Sequence, residues 1–247
     1  MNDRWLQVLP DAGAAARRAA DVLAGRLLSA VAAKGRFRVA LSGGSTPIPM
    51  FEALAAKSLP WRQVEIYQVD EQVAPLGSAQ RNLTAIEAIF GDNGATIVAM
   101  PVDSDDQAGA AARYEQALPP VFDLVHLGLG LDGSTASLIP GDPILDISDR
   151  DVALCGPYKG TLRMTLTFRG LSKATEILWL ITGADKAASL ACLCAVESTV
   201  PAARVVSERT RLVTDAAAAR DLEAHLPIGV HLWHRDGTPR VSSSLDK

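Results

Sequence analysis

The sequence predicts an α/β protein: a Rossmann-like three-layer domain with a mostly parallel sheet flanked by helices. Three observations predict it. Short apolar runs alternate with helical patterns along the 247 residues. Apolar residues make up 48% of the chain, enough to bury a full core. No Gly-, Ser- or Pro-rich linker, long charge run or internal repeat interrupts it, so residues 1–247 read as one domain. Strands that alternate with helices pair in parallel, because each helix carries the chain back across the sheet before the next strand begins.

The elements follow in order. Residues 14–33 carry a helical apolar pattern, and FRVAL (37–41) is a short apolar run. Residues 47–56 read as a helix with proline in its first turn. VEIYQV (64–69) reads as a strand and 82–90 as a helix. Residues 97–100 and 122–127 follow the strand pattern, with an alanine-rich helix at 106–118 between them. RMTLTF (163–168), EILWLIT (176–182), a helix at 185–196, RLVT (211–214) and GVHLWH (229–234) continue the alternation.

Composition excludes several function classes. A net charge of −4 argues against nucleic acid as a partner, since phosphate-backbone binding needs a basic face. It leaves room for a local cationic pocket and a small phosphorylated substrate. Cys155, Cys192 and Cys194 form no CxxC pair, and their apolar neighbours suggest reduced core thiols in a cytoplasmic protein. The four histidines show no ligand spacing beside them, so no metal is expected. His126 lies within a strand and reads as a core histidine. His231 and His234, three apart in a strand, point to opposite faces. Trp61, Trp179 and Trp233 read as core or interface residues. No signal peptide is apparent, and no apolar stretch approaches the ~20 residues that span a bilayer, so no membrane partner is expected.

In open parallel sheets, ligands gather at the carboxyl ends of the strands. The first such end reads LSGGSTP (41–47): Gly43 and Gly44 admit a ligand close to the backbone, and Ser42, Ser45 and Thr46 add hydroxyls. The helix that follows offers free N–H groups and a positive dipole end to an anion. No lysine follows the second glycine, so this is not a Walker A loop, and a tight turn with a Ser/Thr cap is the plain alternative. The next strand ends in VDEQVAP (69–75), whose adjacent acids could orient hydroxyls or act as a base, or simply be solvated turn carboxylates. After FDLVHLGLG (122–130), Gly128, Gly130 and Gly133 allow a tight path in which Asp132 can fix backbone amides, and such a loop can aim N–H groups at a developing oxyanion. Arg163, at the start of RMTLTF, and Lys186, early in the helix after GADK, would clamp a phosphate if they converged on the glycine loop; otherwise they are surface charges.

LSGGSTP, VDEQVAP followed by Arg81-Asn82, GLGLDGSTASLIP (128–140), RMTLT and GADK form an ordered set, with VPAARV (200–205) beyond it. Together they resemble the 6-phosphogluconolactonase family, in the superfamily shared with glucosamine-6-phosphate isomerase/deaminase. The resemblance implies a Rossmann-like fold and hydrolysis of 6-phospho-D-glucono-1,5-lactone in the oxidative pentose phosphate pathway, without metal or organic cofactor. It places phosphate and substrate binding at Ser42, Gly43, Gly44, Ser45, Gln72, Asn82, Gly130, Gly133, Arg163 and Lys186, and catalysis at Asp70, Asp132 and Ser134. ASLIP (136–140) matches the lactonase pattern, and the glutamate used by the deaminase branch has no counterpart between Ser134 and Asp142.

Two positions depart from the family. Its members usually carry histidine after the Asp-Gly pair, where this chain has Ser134, and Asp-Glu-Arg where it has Asp70-Glu71-Gln72. A serine hydroxyl is not deprotonated at neutral pH and cannot replace histidine as a base; as a nucleophile it would need a base of its own. The expectation is a lactonase, a monomer or small homo-oligomer acting on a small sugar phosphate lactone. Asp70 or an unexpected group would carry the proton, aided by a water held by Ser134. The alternatives are a weak or inactive sugar-phosphate-binding relative, or a lactonase for a related sugar lactone.

Overall fold

The computed structural model describes residues 3–195, 197–222, 230–233 and 239–240. The strands are β1 (Asp3–Leu9), β2 (Phe37–Leu41), β3 (Val64–Gln68), β4 (Asp70–Gln72), β5 (Thr96–Val98), β6 (Leu124–Leu127), β7 (Val152–Tyr158), β8 (Thr161–Leu166), β9 (Glu176–Ile181), β10 (Arg209–Asp215), β11 (Val230–Trp233) and β12 (Pro239–Arg240). The helices are α1 (Ala12–Lys34), α2 (Ile48–Ala55), α3 (Asn82–Phe90), α4 (Gln107–Ala117), α5 (Phe168–Leu171) and α6 (Ala187–Cys194), with short 3-10 turns between them.

The apolar runs form the predicted sheet. Its order is β12-β11-β1-β10-β9-β6-β2-β3-β5, and the described pairs are parallel except β11 with β12. Strands buried on both faces need no polar alternation. All six residues of β9 are buried, with Leu178 and Leu180 packing on one side and Ile177, Trp179 and Ile181 on the other. The first side carries α1, α2 and α3; the second carries α4 and α6. Ala15, Ala16, Ala19 and Ala20 give α1 a small-residue face that lies close to the sheet, with Leu23 and Leu27 filling the space beyond. Asp11 caps its first turn by accepting from the Ala14 N–H, and Gly35 ends it in the left-handed region at φ 73°.

A second, three-stranded antiparallel sheet, β4-β8-β7, packs into the core on the α4 and α6 side. This sheet and β1 were not anticipated. β8 begins at Thr161, so Arg163 lies inside it rather than at its start, and the run RMTLTF stops as a strand at Leu166, where the Thr167 hydroxyl accepts from the Gly170 N–H and starts α5. The helix expected at 185–196 begins as a 3-10 turn, Ala184–Lys186, before α6. Cys155 and Cys194 are buried as expected, but Cys192 is exposed, so it is no core thiol. Trp61 and Trp179 are buried. His231 lies in β11, and His234 falls outside the described residues. No helix among the described residues is long and apolar enough to cross a membrane.

The acid pair at 70–71 is divided by the strand pleat. Glu71 is fully buried, and its carboxylate accepts from the N–H groups of Gln72, Asn82 and Leu83 and from Gln68 Nε2 at 2.8–2.9 Å. The buried Arg81 guanidinium lies 3.5 Å away. Asn82 and Leu83 open α3, whose Arg81 cap position makes no side-chain cap bond, so Glu71 serves as the cap from a neighbouring strand. Glu71→Ala would strip those N–H groups and Arg81 Nε of their acceptor, and should lower stability by about 3–5 kcal/mol in urea unfolding.

Candidate active site

The loops following β2, β6 and β9 meet β4, β8 and the β7–β8 turn around an open cleft of about 420 Å³. It lies where a parallel sheet collects ligands, at the carboxyl ends of the strands. Of the sequence-predicted residues, Ser42, Gly43, Gly44, Ser45, Asp70, Gln72, Asn82, Gly130, Ser134, Arg163 and Lys186 line it. Asp132 and Gly133 are not among the residues that line it.

The loop after β2 is open. The backbone N–H groups of Gly43, Gly44, Ser45 and Thr46 donate to no other described residue, and α2 begins at Ile48 after Pro47, a cap position with no side-chain cap bond. Uncommitted N–H groups beside a helix N-terminus form a ready anion site. Gly44 holds φ 94°, which disfavours other residues. Gly43 is required by contact: a Cβ there would lie 1.9 Å from Asn82 Oδ1. Asn82 is held in turn through its amide, which donates to the Asp70 carbonyl at 2.8 Å.

The loop after β6 is closed on itself. The Gly130 N–H donates to the Ser134 carbonyl at 2.7 Å and the Gly133 N–H to the Gly130 carbonyl at 3.1 Å. Asp132 Oδ1 accepts both the backbone N–H of Ser134, at 3.0 Å, and its hydroxyl, at 2.5 Å. Asp132 thus fixes one backbone amide, that of Ser134, and the N–H groups of Gly130, Gly133 and Ser134 are spent within the loop rather than aimed at an oxyanion. Asp132 Oδ2 accepts from the Tyr158 hydroxyl at 3.3 Å. Partial burial works against the charge on Asp132, yet these hydrogen bonds hold its pKa below the ordinary carboxylate value. Gly133, at φ 78°, abuts the Val200 side chain, and its carbonyl accepts from the Ala202 N–H.

Asp70 is buried at the cleft wall. Its Oδ2 accepts from the Ser137 hydroxyl at 2.7 Å and lies 3.7 Å from Arg163 Nη1. Its Oδ1 has only a long contact, 3.4 Å, from Asn82 Nδ2. Burial pushes its pKa above the ordinary carboxylate value, against the opposing pull of Ser137 and Arg163. Arg163 Nε is buried and has no hydrogen-bond partner among the described residues. Lys186 Nζ reaches the Leu129 carbonyl at 2.8 Å, which places its charge at the cleft beside the β6 loop.

Residues 10–214 match the family described as glucosamine-6-phosphate isomerases/6-phosphogluconolactonase. The chain belongs to this family. A 6-phosphogluconolactonase of Nostoc sp. is 36% identical over 205 residues, covering 76% of this chain and 84% of its own. One from Caulobacter vibrioides is 36% identical over 186 residues, covering 70% and 80%. The structure of 6-phosphogluconolactonase from Thermotoga maritima has a TM-score of 0.78 over 86% of this chain and 99% of that one, at 26% identity. A monomeric glucosamine-6-phosphate deaminase shares the fold, with a TM-score of 0.75 at 18% identity over 88% and 99%.

The family motifs did not point to several cleft residues. Tyr158 and Lys159 reach the cleft from the β7–β8 turn, where the Arg163 guanidinium lies 5.4 Å from the Tyr158 ring centre. Ser137 was visible only as part of ASLIP, yet it is the partner of Asp70. The glycines flanking the turn, Gly156 and Gly160, were the available signal for a hairpin there. In this family member, Gly43→Ala should force Asn82 aside and destabilise the protein by about 1–3 kcal/mol, read by thermal or urea unfolding.

Proposed function

We propose that the protein is a carboxylic ester hydrolase that opens 6-phospho-D-glucono-1,5-lactone to 6-phosphogluconate in the oxidative pentose phosphate pathway. One observation carries the reading. Uncommitted N–H groups at an α-helix N-terminus share a cleft with two cations and a buried carboxylate of raised basicity. The relatives named 6-phosphogluconolactonase support it.

In this reading the phosphate rests on the N–H groups of Gly43, Gly44 and Ser45 with the Ser42 and Ser45 hydroxyls, under the charge of Lys186. The lactone ring lies against Asn82, Gln72 and the wall formed by Gly130 and Ser134. Asp70 takes a proton from water as the water oxygen bonds to C1, and Arg163 stabilises the negative charge gathering on the carbonyl oxygen. Collapse of the tetrahedral intermediate breaks the C1–O5 bond, and O5 recovers the proton from Asp70. The new carboxylic acid then ionises into solvent. Ser134 has no part in proton abstraction, since its hydroxyl already donates to a carboxylate of lowered pKa. Asp132 and Gly133 hold the loop shape. No step requires a cofactor.

The tie between Ser134 and Asp132 favours one second reading, a sugar-phosphate-binding relative whose hydrolysis stays at background. Rates on freshly generated lactone, against the uncatalysed reaction, decide between them. The lactonase reading expects the protein to exceed background and Asp70→Asn to lose about 10²- to 10⁴-fold. Ionised Asp70 is the base, so the rate should rise as pH climbs through its pKa, with the acid limb displaced above that of an ordinary carboxylate. A full rate in Asp70→Asn would remove Asp70 from the mechanism. Product binding without hydrolysis above background would establish the second reading.

A further inference from the structure

Beyond the closed 130–134 loop, residues 135–138 form a tight turn in which the Leu138 N–H donates to the Thr135 carbonyl at 2.9 Å. Ala136 holds φ 51°, a left-handed value that residues other than glycine rarely adopt. Such strain persists where the surrounding contacts over-determine it, and it gathers at functional sites. Here the Thr135 hydroxyl donates to the Gly128 carbonyl at 2.8 Å, and the Leu138 side chain is buried in the core. Ser137, between Ala136 and Leu138, is 1% exposed and is not among the residues that line the cleft.

Every polar group of Ser137 is engaged by the small antiparallel sheet. Its N–H donates to the Thr165 hydroxyl at 3.2 Å, and its carbonyl accepts from the Cys155 thiol at 3.1 Å. Thr165 in β8 is the cross-strand partner of Asp70, and Cys155 lies in β7, which pairs with β8. Burial pushes the Cys155 thiol up to about 12, so it remains a donor at neutral pH. The backbone of Ser137 is thus tied to the sheet that carries Asp70, and its hydroxyl donates to Asp70 Oδ2 at 2.7 Å. The charges near that carboxylate are Arg163, whose Nη1 lies 3.7 Å from Oδ2, and Glu71, the next residue of β4.

We propose that Ser137 is a positioning residue for lactone hydrolysis, whose hydroxyl fixes Asp70 Oδ2 and so orients the carboxylate for the attacking water. This role rests on the reading of Asp70 as the base. Ser137 keeps its own proton throughout. With Oδ2 engaged, Oδ1 is the less committed oxygen, since its contact with Asn82 Nδ2 is long, at 3.4 Å. A hydroxyl that donates to a carboxylate also favours the ionised form over the protonated one. Without it the carboxylate gains its proton at higher pH and is free to turn, so the acid limb of the rate moves up and the plateau above it falls.

Rates on freshly generated lactone across pH, with kcat and KM separated, test this on the full chain. The variants are Ser137→Ala, Ser137→Thr, Asp70→Asn, and Ser137→Ala combined with Asp70→Asn. Ser137→Ala should lose about 10-fold in plateau kcat at unchanged KM, with its acid limb at higher pH than in the unaltered protein. Ser137→Thr, which keeps the hydroxyl, should recover part of both effects. In the Asp70→Asn background, Ser137→Ala should cost less than about 2-fold, because the group on which it acts is gone. An unmoved limb or an undiminished plateau in Ser137→Ala would overturn the proposal, as would a folded Ser137→Thr no better than Ala. So would an equal loss in the Asp70→Asn background, or failure of Ser137→Ala to fold, either of which would make Ser137 a packing residue. If Asp70→Asn is crippled and Ser137→Ala is not, only the role of Ser137 falls. If the unaltered protein stays at background, or Asp70→Asn keeps the full rate, the reading of Asp70 as the base falls and the role of Ser137 falls with it.

Discussion

The buried carboxylate of Glu71 is the joint on which the cleft depends. It gathers the first N–H groups of α3, a side-chain amide of β3 and the backbone of β4, and so binds a helix to the end of one sheet and the edge of another. That attachment sets Asn82 between Gly43 and Asp70, close enough that only glycine fits at 43. Displacing Glu71 would shift the anion loop, the amide and the candidate base together. A buried acid with this many donors is costly to disturb and holds a single geometry, which is what a site built from several strands requires.

The two glycine-rich loops use glycine to opposite ends. The 43–46 loop leaves its N–H groups unspent beside a helix N-terminus, so an arriving anion replaces water in a prepared place. The 130–134 loop consumes its N–H groups internally and fastens Ser134 to Asp132, which makes it a rigid wall rather than an electrophilic device. Between these loops, Arg163 Nε and the His126 ring nitrogens are buried and have no hydrogen-bond partner among the described residues. Arg163 and His126 are both among the residues that line the cleft.

Much of the fold was legible because apolar period and length separate strands buried on both faces from helices; the bounds of α3 agree with the expectation for 82–90. The small antiparallel sheet was not legible. VALCGPY carries a Gly-Pro pair that reads as a break, and β4 is three residues long and exists by pairing with β8. For the same reason, the adjacent acids 70 and 71 could not be told apart in the sequence: the pleat sends one to the cleft and the other to the cap of α3. The predicted cleft residues were found through motifs at strand ends. Tyr158, Lys159 and the Ser137–Asp70 bond come from contacts distant in sequence, with no local pattern to announce them. His126 was read as a packed core residue, and it is buried; that it also lines the cleft emerged only in three dimensions.

The central claim is that proton transfer belongs to Asp70, with Ser134 a structural member of a closed loop. The most direct measurement is kcat/KM for 6-phosphogluconolactone in Ser134→Ala. The account predicts a value within about 10-fold of the unaltered protein, because the lost hydroxyl touches Asp132 and does no chemistry. A fall of about 10³-fold or more, with unchanged 6-phosphogluconate affinity and unfolding temperature, would contradict it and put Ser134 in the reaction.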